Sequence, residues 1–357
     1  MCQQKMGIKH LNGYIVANCS TQSVYKCNIH ELEGKVITVD ISIYLYKFLA
    51  CNAYTEQLFS FLSLFWYYKI QPVFIFDGKP PPEKWPLLQQ RYNEKKMAQN
   101  KYDQLQDILS EISADQNEYE CTIAELEELR KKMIKIRPEH IEQSKSLMDA
   151  FGFTYIEAPC EADMLCAYMV TKEIAWACLS EDMDLFALGC TRVLRNISLL
   201  HHNWILYHSD KILLELGLSR KELVEIIVLS GSDYTVGIKD HQKSIRKMLD
   251  LYRNRNRMDD GCSGMTVFDW YQSVYSTATT TTSTSEVPPS PPAFSRELFD
   301  KHCCLFRPHN ISELLDPILQ SYYSTSSGDP QPRKRMDRRM DFKKIQELME
   351  PHGFVFI

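Results

Sequence analysis

The stretch IAWACLSEDMDLF, residues 174–186, passes from an apolar run into three acids within four positions. Its apolar part is short and bounded by charge, which is typical of a strand buried on both faces of a parallel sheet. Two earlier runs have the same form, KVITVD (35–40) and PVFIFD (72–77), and each ends in an aspartate. Because helical patterns separate the runs, the sequence predicts an α/β fold with a mostly parallel central sheet flanked by helices.

Three other segments carry helical patterns. Residues 41–70 are apolar enough for one or two core helices. Residues 138–152 place apolar side chains at helical spacing and end in a glycine, a common helix stop. Residues 219–231 begin with Ser219 and Glu222 at the spacing of a capping box.

Two segments interrupt this pattern. Residues 84–137 are polar, charged and rich in good helix formers, so we expect a helical insertion that stands off the sheet. Residues 276–292, STATTTTSTSEVPPSPP, are of low complexity and are expected to form a flexible linker. A C-terminal extension with a basic tail, 293–357, follows this linker.

Composition narrows the class of protein. The chain has 357 residues and a net charge of −5, which argues weakly against a protein that coats nucleic acid. Basic residues nevertheless concentrate in 84–101 and 333–344. The 12 cysteines show no disulfide-framework spacing and we expect no signal peptide, so a reducing compartment is expected. Because no two cysteines form a CxxC pair, no structural zinc site is expected. The longest apolar run is too short to cross a bilayer, so no membrane association is expected.

Acidic residues recur where the predicted strands end. The carboxyl ends of parallel strands share one edge of a sheet, and ligands collect there. Each acid alone is most simply a turn or helix-cap residue, and only their agreement in position favours a common pocket. The candidates are Asp40, Asp77, Asp182 and Asp184 after strands, Glu161 and Asp163 at a helix start, and Asp233 after the helix that begins at Ser219.

Such a pocket requires a cation. Two carboxylates about 4 Å apart repel by roughly 4 kcal/mol at an effective dielectric constant near 20. Hard divalent cations prefer oxygen ligands, and Mg²⁺ in particular combines a few carboxylates with water and phosphate. A divided set of acids suits two ions that activate water and steady the leaving oxygen in a phosphoryl displacement.

The chain resembles the XPG/flap endonuclease family of structure-specific 5′ nucleases over about residues 6–255. The motifs occur in the family's order. They are MGIKHL (6–11), VDISIYLYKFL (39–49), VFIFDGKPPPEK (73–84), EAPCEADMLCAYMV (157–170), SEDMDLFALG (180–189) and SGSDY (230–234).

The resemblance implies a PIN-like nuclease core at 6–255, with a helical arch at 84–137 and a helix-hairpin-helix-like duplex-binding region at 219–255. It also implies two Mg²⁺ ions, for which Mn²⁺ can substitute, and hydrolysis of DNA phosphodiester bonds during replication or repair. One ion would be held by Glu161 and Asp163 with help from Asp40 and Asp77, and the other by Asp182, Asp184 and Asp233.

The resemblance assigns further roles outside the acids. Lys84 and Arg91 match the basic pair that steadies the scissile phosphate, although a lysine and an arginine at such positions are more often a solvated helix face. Tyr46 matches an aromatic residue that stacks on a base near the cut, whereas alone it would be read as a core tyrosine. The other expected DNA contacts are Lys95, Lys96, Gly237, Lys239 and Lys243.

The chain departs from the family pattern in three places. Five residues, MCQQK, precede Met6, where the family is expected to begin. The loop after YKFLACNAY is short, which puts a preference for double flaps in doubt. In TVGIKDHQKS, Lys239 replaces a glycine whose backbone would approach a phosphate, so grip on duplex DNA should weaken, with Lys239 and Lys243 compensating by charge. These shortened loops fit a divergent member, such as one from a large DNA virus.

Several alternatives stay open. A 5′ exonuclease or junction-cutting relative fits nearly as well, and a nuclease-dead DNA-binding scaffold is the rival of another class. The expected partner is DNA with 5′ flaps or branched junctions, bound by a monomer. QELMEPHGF lacks the paired aromatics of a sliding-clamp motif, and PRKRMDRR (332–339) fits a nuclear-import signal, a DNA-contacting tail or a solvated tail. The expected location is the nucleus (the host nucleus for a viral protein), otherwise the cytoplasm.

Overall fold

A seven-stranded sheet organises the part of the chain that the structure describes, and five neighbouring strands of this sheet run parallel. In a computed structural model, the described residues are 8–111, 116–231, 245–254, 265–278, 295–306, 309–324 and 340–354. The strands are β1 (Val24–Asn28), β2 (Val36–Asp40), β3 (Gln71–Phe76), β4 (Thr154–Glu157), β5 (Ala177–Leu179), β6 (Arg192–Ser198) and β7 (Asn203–His208). Their order is β1-β7-β6-β5-β2-β3-β4, so the predicted mostly parallel α/β sheet is confirmed.

Helices cover both faces of this sheet. Those before β5 are α1 (Leu11–Asn18), α2 (Ile41–Ala50), α3 (Tyr54–Tyr67), α4 (Trp85–Glu111), α5 (Gln116–Met133), α6 (Pro138–Phe151) and α7 (Ala162–Thr171). Those after it are α8 (Asp184–Leu188), α9 (Ser209–Leu216), α10 (Arg220–Ser230), α11 (Ile245–Arg253), α12 (Val267–Ala278), α13 (Arg296–Cys304), α14 (His309–Ser324) and α15 (Phe342–Met349).

The strand sequences explain the two cores. Side chains alternate across a strand, so a run that is apolar throughout fills both faces of a sheet. On β3, Val73 and Ile75 pack into one hydrophobic cluster, whereas Phe74 and Phe76 pack into the other. The three runs that the sequence predicts as strands are indeed β2, β3 and β5, each buried almost throughout.

The strand order reverses between β2 and β5. From β2 the chain moves outward to β3 and β4, and it then returns to place β5 on the other side of β2. Both neighbours run parallel to β2, with Asp40 aligned with Ile75 of β3 and Val39 aligned with Leu179 of β5. Such a reversal opens a crevice at the carboxyl ends of the strands, where ligands bind in open α/β sheets.

Local signals place the helix ends. The Ser219 side chain accepts a hydrogen bond from the backbone N–H of Glu222, and α6 stops at Gly152, whose φ of 75° suits glycine. The sequence predicts one or two helices over residues 41–70. The structure has two, α2 and α3. Both predictions of helix ends are confirmed.

Residues 84–137 contain the long antiparallel pair α4 and α5. Ala98, Leu126 and Leu129 are buried between them, and the Lys95 ammonium donates to the carbonyl oxygen of Ile134 at 2.8 Å. Arg130 ties α5 to the end of α2 through the Ala50 carbonyl and to the turn that follows through the Asn52 side chain. The predicted helical insertion is therefore anchored beside α2, the helix that begins directly after Asp40.

The C-terminal segment contributes to the core. Ile345 and Met349 of α15 are buried in the same cluster as β2, and the N–H of Asp341 donates to the carbonyl of Ala150 at 2.8 Å. None of the helices among the described residues is long and apolar enough to span a membrane. The ten cysteines in the described ranges form no disulfide with one another.

Candidate metal centre

Six acids lie together at the carboxyl edge of the parallel strands. Asp40 is the last residue of β2, Asp77 follows β3, and Asp182 lies in the turn after β5. Asp184 is the first residue of α8; Glu161 immediately precedes α7 and Asp163 lies in its first turn. The seventh candidate, Asp233, falls outside the described residues, as do Gly237, Lys239 and Lys243.

Three of these acids are close enough to share one cation. Asp163, Asp182 and Asp184 each offer a carboxylate oxygen, and the three oxygens lie within 4.8 Å of one another. Asp163 and Asp184 are only 7% and 2% exposed, so water does little to screen their charges. A set of two buried carboxylates and one half-buried carboxylate, all hard oxygen donors, fits a divalent ion such as Mg²⁺.

The other acids act electrostatically on this trio. Burial raises the pKa of Asp40 well above its usual range, and Asp77, Asp163 and Asp182 raise it further. Burial, followed by the charges of Glu161 and Asp182, likewise raises the pKa of Asp163. The metal-free cluster therefore resists ionisation, which is the behaviour expected of a site that a cation neutralises.

Lys84 supplies a counter-charge. Its ammonium forms an ion pair with Glu161, and it opposes the rise in the pKa of Asp163. The 3₁₀ turn Pro82–Lys84, which leads directly into α4, carries this lysine to the acids. The structure thus places one of the two predicted basic residues in contact with the acidic cluster.

Tyr46 lies near Asp77 of the cluster and near Arg91. The Tyr46 ring is half-buried; burial and the nearby Asp77 raise its pKa, while Arg91 lowers it. The Lys95 ammonium lies 5.4 Å from the centre of the Tyr46 ring. Lys95, predicted as a DNA contact, is thus engaged by Tyr46 and by the backbone of the arch, whereas Lys96 is exposed.

Ser180 connects the acids and was not singled out by the sequence. It is fully buried at the end of β5; its hydroxyl donates to Asp40 Oδ2 at 3.0 Å and accepts from the N–H of Asp182 at 3.1 Å. The N–H of Asp184 in turn donates to Asp182 Oδ1 at 3.0 Å. The sequence did contain a signal for this role, namely a serine placed between a buried strand and two acids.

We expect Ser180→Ala to reduce metal-activated cleavage by about 10- to 100-fold, because it frees the turn that orients Asp182. Folding stability should fall by only about 2 kcal/mol, the usual cost of the two hydrogen bonds that the hydroxyl makes. Cleavage rate against Mg²⁺ concentration measures the effect. Ser144→Ala is the matched control, since Ser144 is equally buried and hydrogen-bonded to His140 but lies on α6. An unchanged Mg²⁺ requirement in Ser180→Ala would contradict the role.

Glu181, the first acid of the opening stretch, faces away from the trio. Its carboxylate accepts from Lys47 at 3.0 Å and from the N–H of Asn196 at 2.9 Å. The buried Arg195 of β6 donates to its carbonyl oxygen at 2.8 Å. Glu181 therefore fastens the acidic turn to β6 and α2, which leaves Asp182 and Asp184 directed toward Asp163.

The close packing around Gly78 explains why a glycine follows Asp77. A Cβ at this position would lie 1.9 Å from the carbonyl oxygen of Ala158, and the Gly78 N–H donates to the carbonyl of Cys160 at 2.7 Å. Asp77 itself accepts from the N–H of Ala162 at 2.9 Å. The end of β3 is thus locked against the segment that carries Glu161.

Replacing Gly78 with alanine should lower the free energy of unfolding by about 1–3 kcal/mol, because the added methyl group forces two backbones apart. It should also raise the Mg²⁺ concentration needed for cleavage, since Glu161 moves. Urea unfolding and metal titration measure the two effects. In the control Gly34→Ala, the methyl group meets nothing within 4 Å, although φ is +72°. That variant should lose about 1–2 kcal/mol and keep its metal requirement; equal metal requirements in both variants would oppose this account.

Comparisons with known proteins agree with this arrangement. A family model described as the XPG N-terminal domain matches residues 6–98, and one described as the XPG I-region matches residues 152–233. Flap endonuclease 1 of Methanosphaera stadtmanae is 33% identical over 227 residues, which cover 58% of this chain and 66% of that protein. Flap endonuclease 1-A of Xenopus laevis is 26% identical over 273 residues, 71% of this chain and 68% of that protein. The match spans about two thirds of these relatives' length.

Solved structures share the fold. The catalytic core of Rad2 in a complex with DNA substrate has a TM-score of 0.56 at 20% identity, covering 96% of this chain and 99% of that one. Human GEN1 in complex with Holliday junction DNA has a TM-score of 0.53 at 17% identity, covering 97% of this chain and 74% of that one. At these identities the likeness establishes the architecture of the sheet and its helices.

Proposed function

This chain belongs to the XPG/flap endonuclease family, and from that premise we propose that it is a metal-dependent, structure-specific 5′ nuclease acting on flapped or branched DNA. The observation that carries the proposal is that carboxylate oxygens of Asp163, Asp182 and Asp184 lie within 4.8 Å of one another. They do so at the carboxyl edge of the sheet, where the strand order reverses between β2 and β5. A scaffold without catalysis would gain nothing from keeping these charges together. The ion pair of Lys84 with Glu161 adds a cation where a phosphate would arrive.

The acids divide into two proposed metal sites. Glu161 and Asp163, supported by Asp40 and Asp77, would hold one Mg²⁺, and Asp182, Asp184 and Asp233 the other. Asp163 lies at the boundary between the two sets, because its carboxylate oxygen is within 4.8 Å of oxygens of Asp182 and Asp184. When bound, the ions lower the pKa of water and neutralise charge on the phosphate, and Mn²⁺ offers similar chemistry. Raised pKa values of Asp40 and Asp163 support the site, because a cation is what such carboxylates lack.

The basic and aromatic residues would position the DNA. Lys84 and Arg91 would bind the scissile phosphate and steady the charge that develops on it. Tyr46, which has Lys95 beside its ring and Asp77 nearby, would stack on a base beside the cut. Hydrolysis would leave a 5′-phosphate and a 3′-hydroxyl.

The cellular setting is part of the proposal. We place the protein in DNA replication or repair, in the nucleus, as a monomer that engages branched DNA. The basic run at 332–339 is the feature that favours the nucleus. These residues lie outside the described ranges.

A panel of DNA substrates tests this function. Equal lengths of 5′-flap, 3′-flap, Holliday-junction and linear duplex DNA, labelled at the 5′ end, are incubated with the wild-type chain with and without Mg²⁺. We expect cutting near the 5′-flap junction that releases the intact flap. Release of mononucleotides would favour a 5′ exonuclease, and symmetrical cuts in the four-way junction would favour a junction-cutting enzyme. Binding of all four without any cutting would overturn the nuclease and favour a DNA-binding scaffold.

A further inference from the structure

The first turns of α4 carry an apolar stripe that the metal centre does not use. Trp85 and Tyr92 are each 64% exposed, and Leu88 between them is 37% exposed. Spacings of three and seven residues put them on one face of the helix. Single exposed apolar residues are ordinary, but three aligned on one helix form a surface suited to binding.

Positive charge accompanies this stripe. Lys96 lies one turn beyond Tyr92 on the same face and is exposed. Lys84, which pairs with Glu161, immediately precedes α4, and Arg91 lies about a quarter turn around the helix from the stripe. The span 84–101 holds five basic residues and a single acid, Glu94. An anionic ligand with flat apolar parts matches this combination better than an apolar protein surface does.

The stripe is also at a suitable distance from the proposed cut. A helix rises 1.5 Å per residue, so Tyr92 lies about 12 Å along α4 from Lys84. That length corresponds to roughly three nucleotides at the spacing of a stacked strand. A strand whose phosphate meets Lys84 can therefore continue along the stripe.

We propose that Trp85, Leu88 and Tyr92 form a stacking platform for the bases of an unpaired 5′ strand next to the cut. The inference rests on the proposed nuclease function and adds the part of the substrate that it recognises. Aromatic rings beside cations bind single-stranded nucleic acid without sequence preference, because every base offers a flat face. A duplex hides those faces, so the platform selects a strand that is already unpaired.

The test compares two 5′ flaps of equal length and charge, one with bases and one made of abasic nucleotides. The double variant Trp85→Ala/Tyr92→Ala should lose on the order of tenfold in kcat/KM on the flap with bases. It should lose nothing further on the abasic flap, which the wild type should already cut less well by a similar factor. Trp85→Phe/Tyr92→Phe should restore most of the activity, since phenylalanine keeps the flat ring.

Tyr67→Ala is the matched control. Tyr67 is 71% exposed and ends α3 just before β3 begins, at the edge of the sheet opposite the acids. Equal cutting of both flaps by wild type and double variant would overturn the platform, and so would an equal loss on both flaps. The dissociation constants of both flaps, measured without metal, test the platform independently of cutting. A wild-type chain that cuts neither flap would count against the proposed function alone.

Discussion

Asp163→Asn should abolish cleavage and at the same time stabilise the metal-free protein. Activity is expected to fall by at least about 10³-fold, because the variant loses a carboxylate from the trio that would hold the metal. The metal-free melting temperature should rise by a few degrees, since relief of about 1 kcal/mol shifts Tm by roughly 2 °C in a chain of this size. The amide oxygen of the new side chain can keep the hydrogen bond that Asp163 Oδ1 accepts from the N–H of Met164.

The expected gain in stability of the metal-free variant follows from the raised pKa of Asp163. Burial and neighbouring acids raise that pKa above the unfolded value, so the folded chain binds more protons than the unfolded chain between the two values. Stability from this group is present at low pH and is lost as pH rises through the folded pKa. The advantage of the variant should therefore be largest at pH 8 and should shrink toward pH 5.

Differential scanning calorimetry at several pH values, with a chelator present, measures this effect. Addition of Mg²⁺ should raise the Tm of the wild type more than that of Asp163→Asn, because the variant loses a carboxylate ligand of one of the two proposed ions. Asp269→Asn is a control, since Asp269 is a partly exposed acid that pairs with Arg296 away from the site. A variant that is less stable than the wild type at pH 8 without metal would contradict the electrostatic account.

Lys84→Ala and Arg91→Ala should each lower kcat by about 10²- to 10³-fold, the usual effect of removing one group that stabilises charge in the transition state. Flap affinity should change much less, because phosphates elsewhere on the strand still meet other basic residues. Arg91→Lys keeps the charge but loses the planar fork, so it should recover only part of the rate.

Single-turnover kinetics separate these effects from binding. Lys101→Ala is the matched control on α4, since Lys101 is exposed and pairs with Glu125 on α5. It should leave kcat unchanged. Loss of affinity without loss of kcat in Lys84→Ala would mean that this lysine only attracts DNA, and the proposed role at the scissile phosphate would be wrong.

The sequence predicted the part of the fold that rests on short-range patterns. β2, β3 and β5 are apolar throughout and end in acids, so their type and their shared edge could be predicted. The half-buried strand β4, TYIE, offers no such run, and it was missed. The hairpin of β6 and β7 was missed as well, since its place beside β5 depends on contacts that no local pattern encodes.

The candidate site shows the same division. That acids gather at one edge follows from the strand ends, but the direction each side chain takes depends on distant partners. Glu181 turns away because Arg195 on the next strand and Lys47, 134 residues earlier, hold it. Ser180 has a role at the site because its hydroxyl donates a hydrogen bond to Asp40, which lies 140 residues earlier. α15 joins the core although the sequence suggested only a C-terminal extension there.

The most direct test of a metal nuclease is cleavage of end-labelled 5′-flap DNA by the wild type and by Asp184→Ala across a range of Mg²⁺ concentrations. We expect cutting near the junction that requires Mg²⁺ and that falls by at least about 10³-fold in the variant, which still binds the DNA. Equal cutting by the two proteins, or cutting by the wild type after complete chelation of metal, would contradict the claim that these acids hold the catalytic ions.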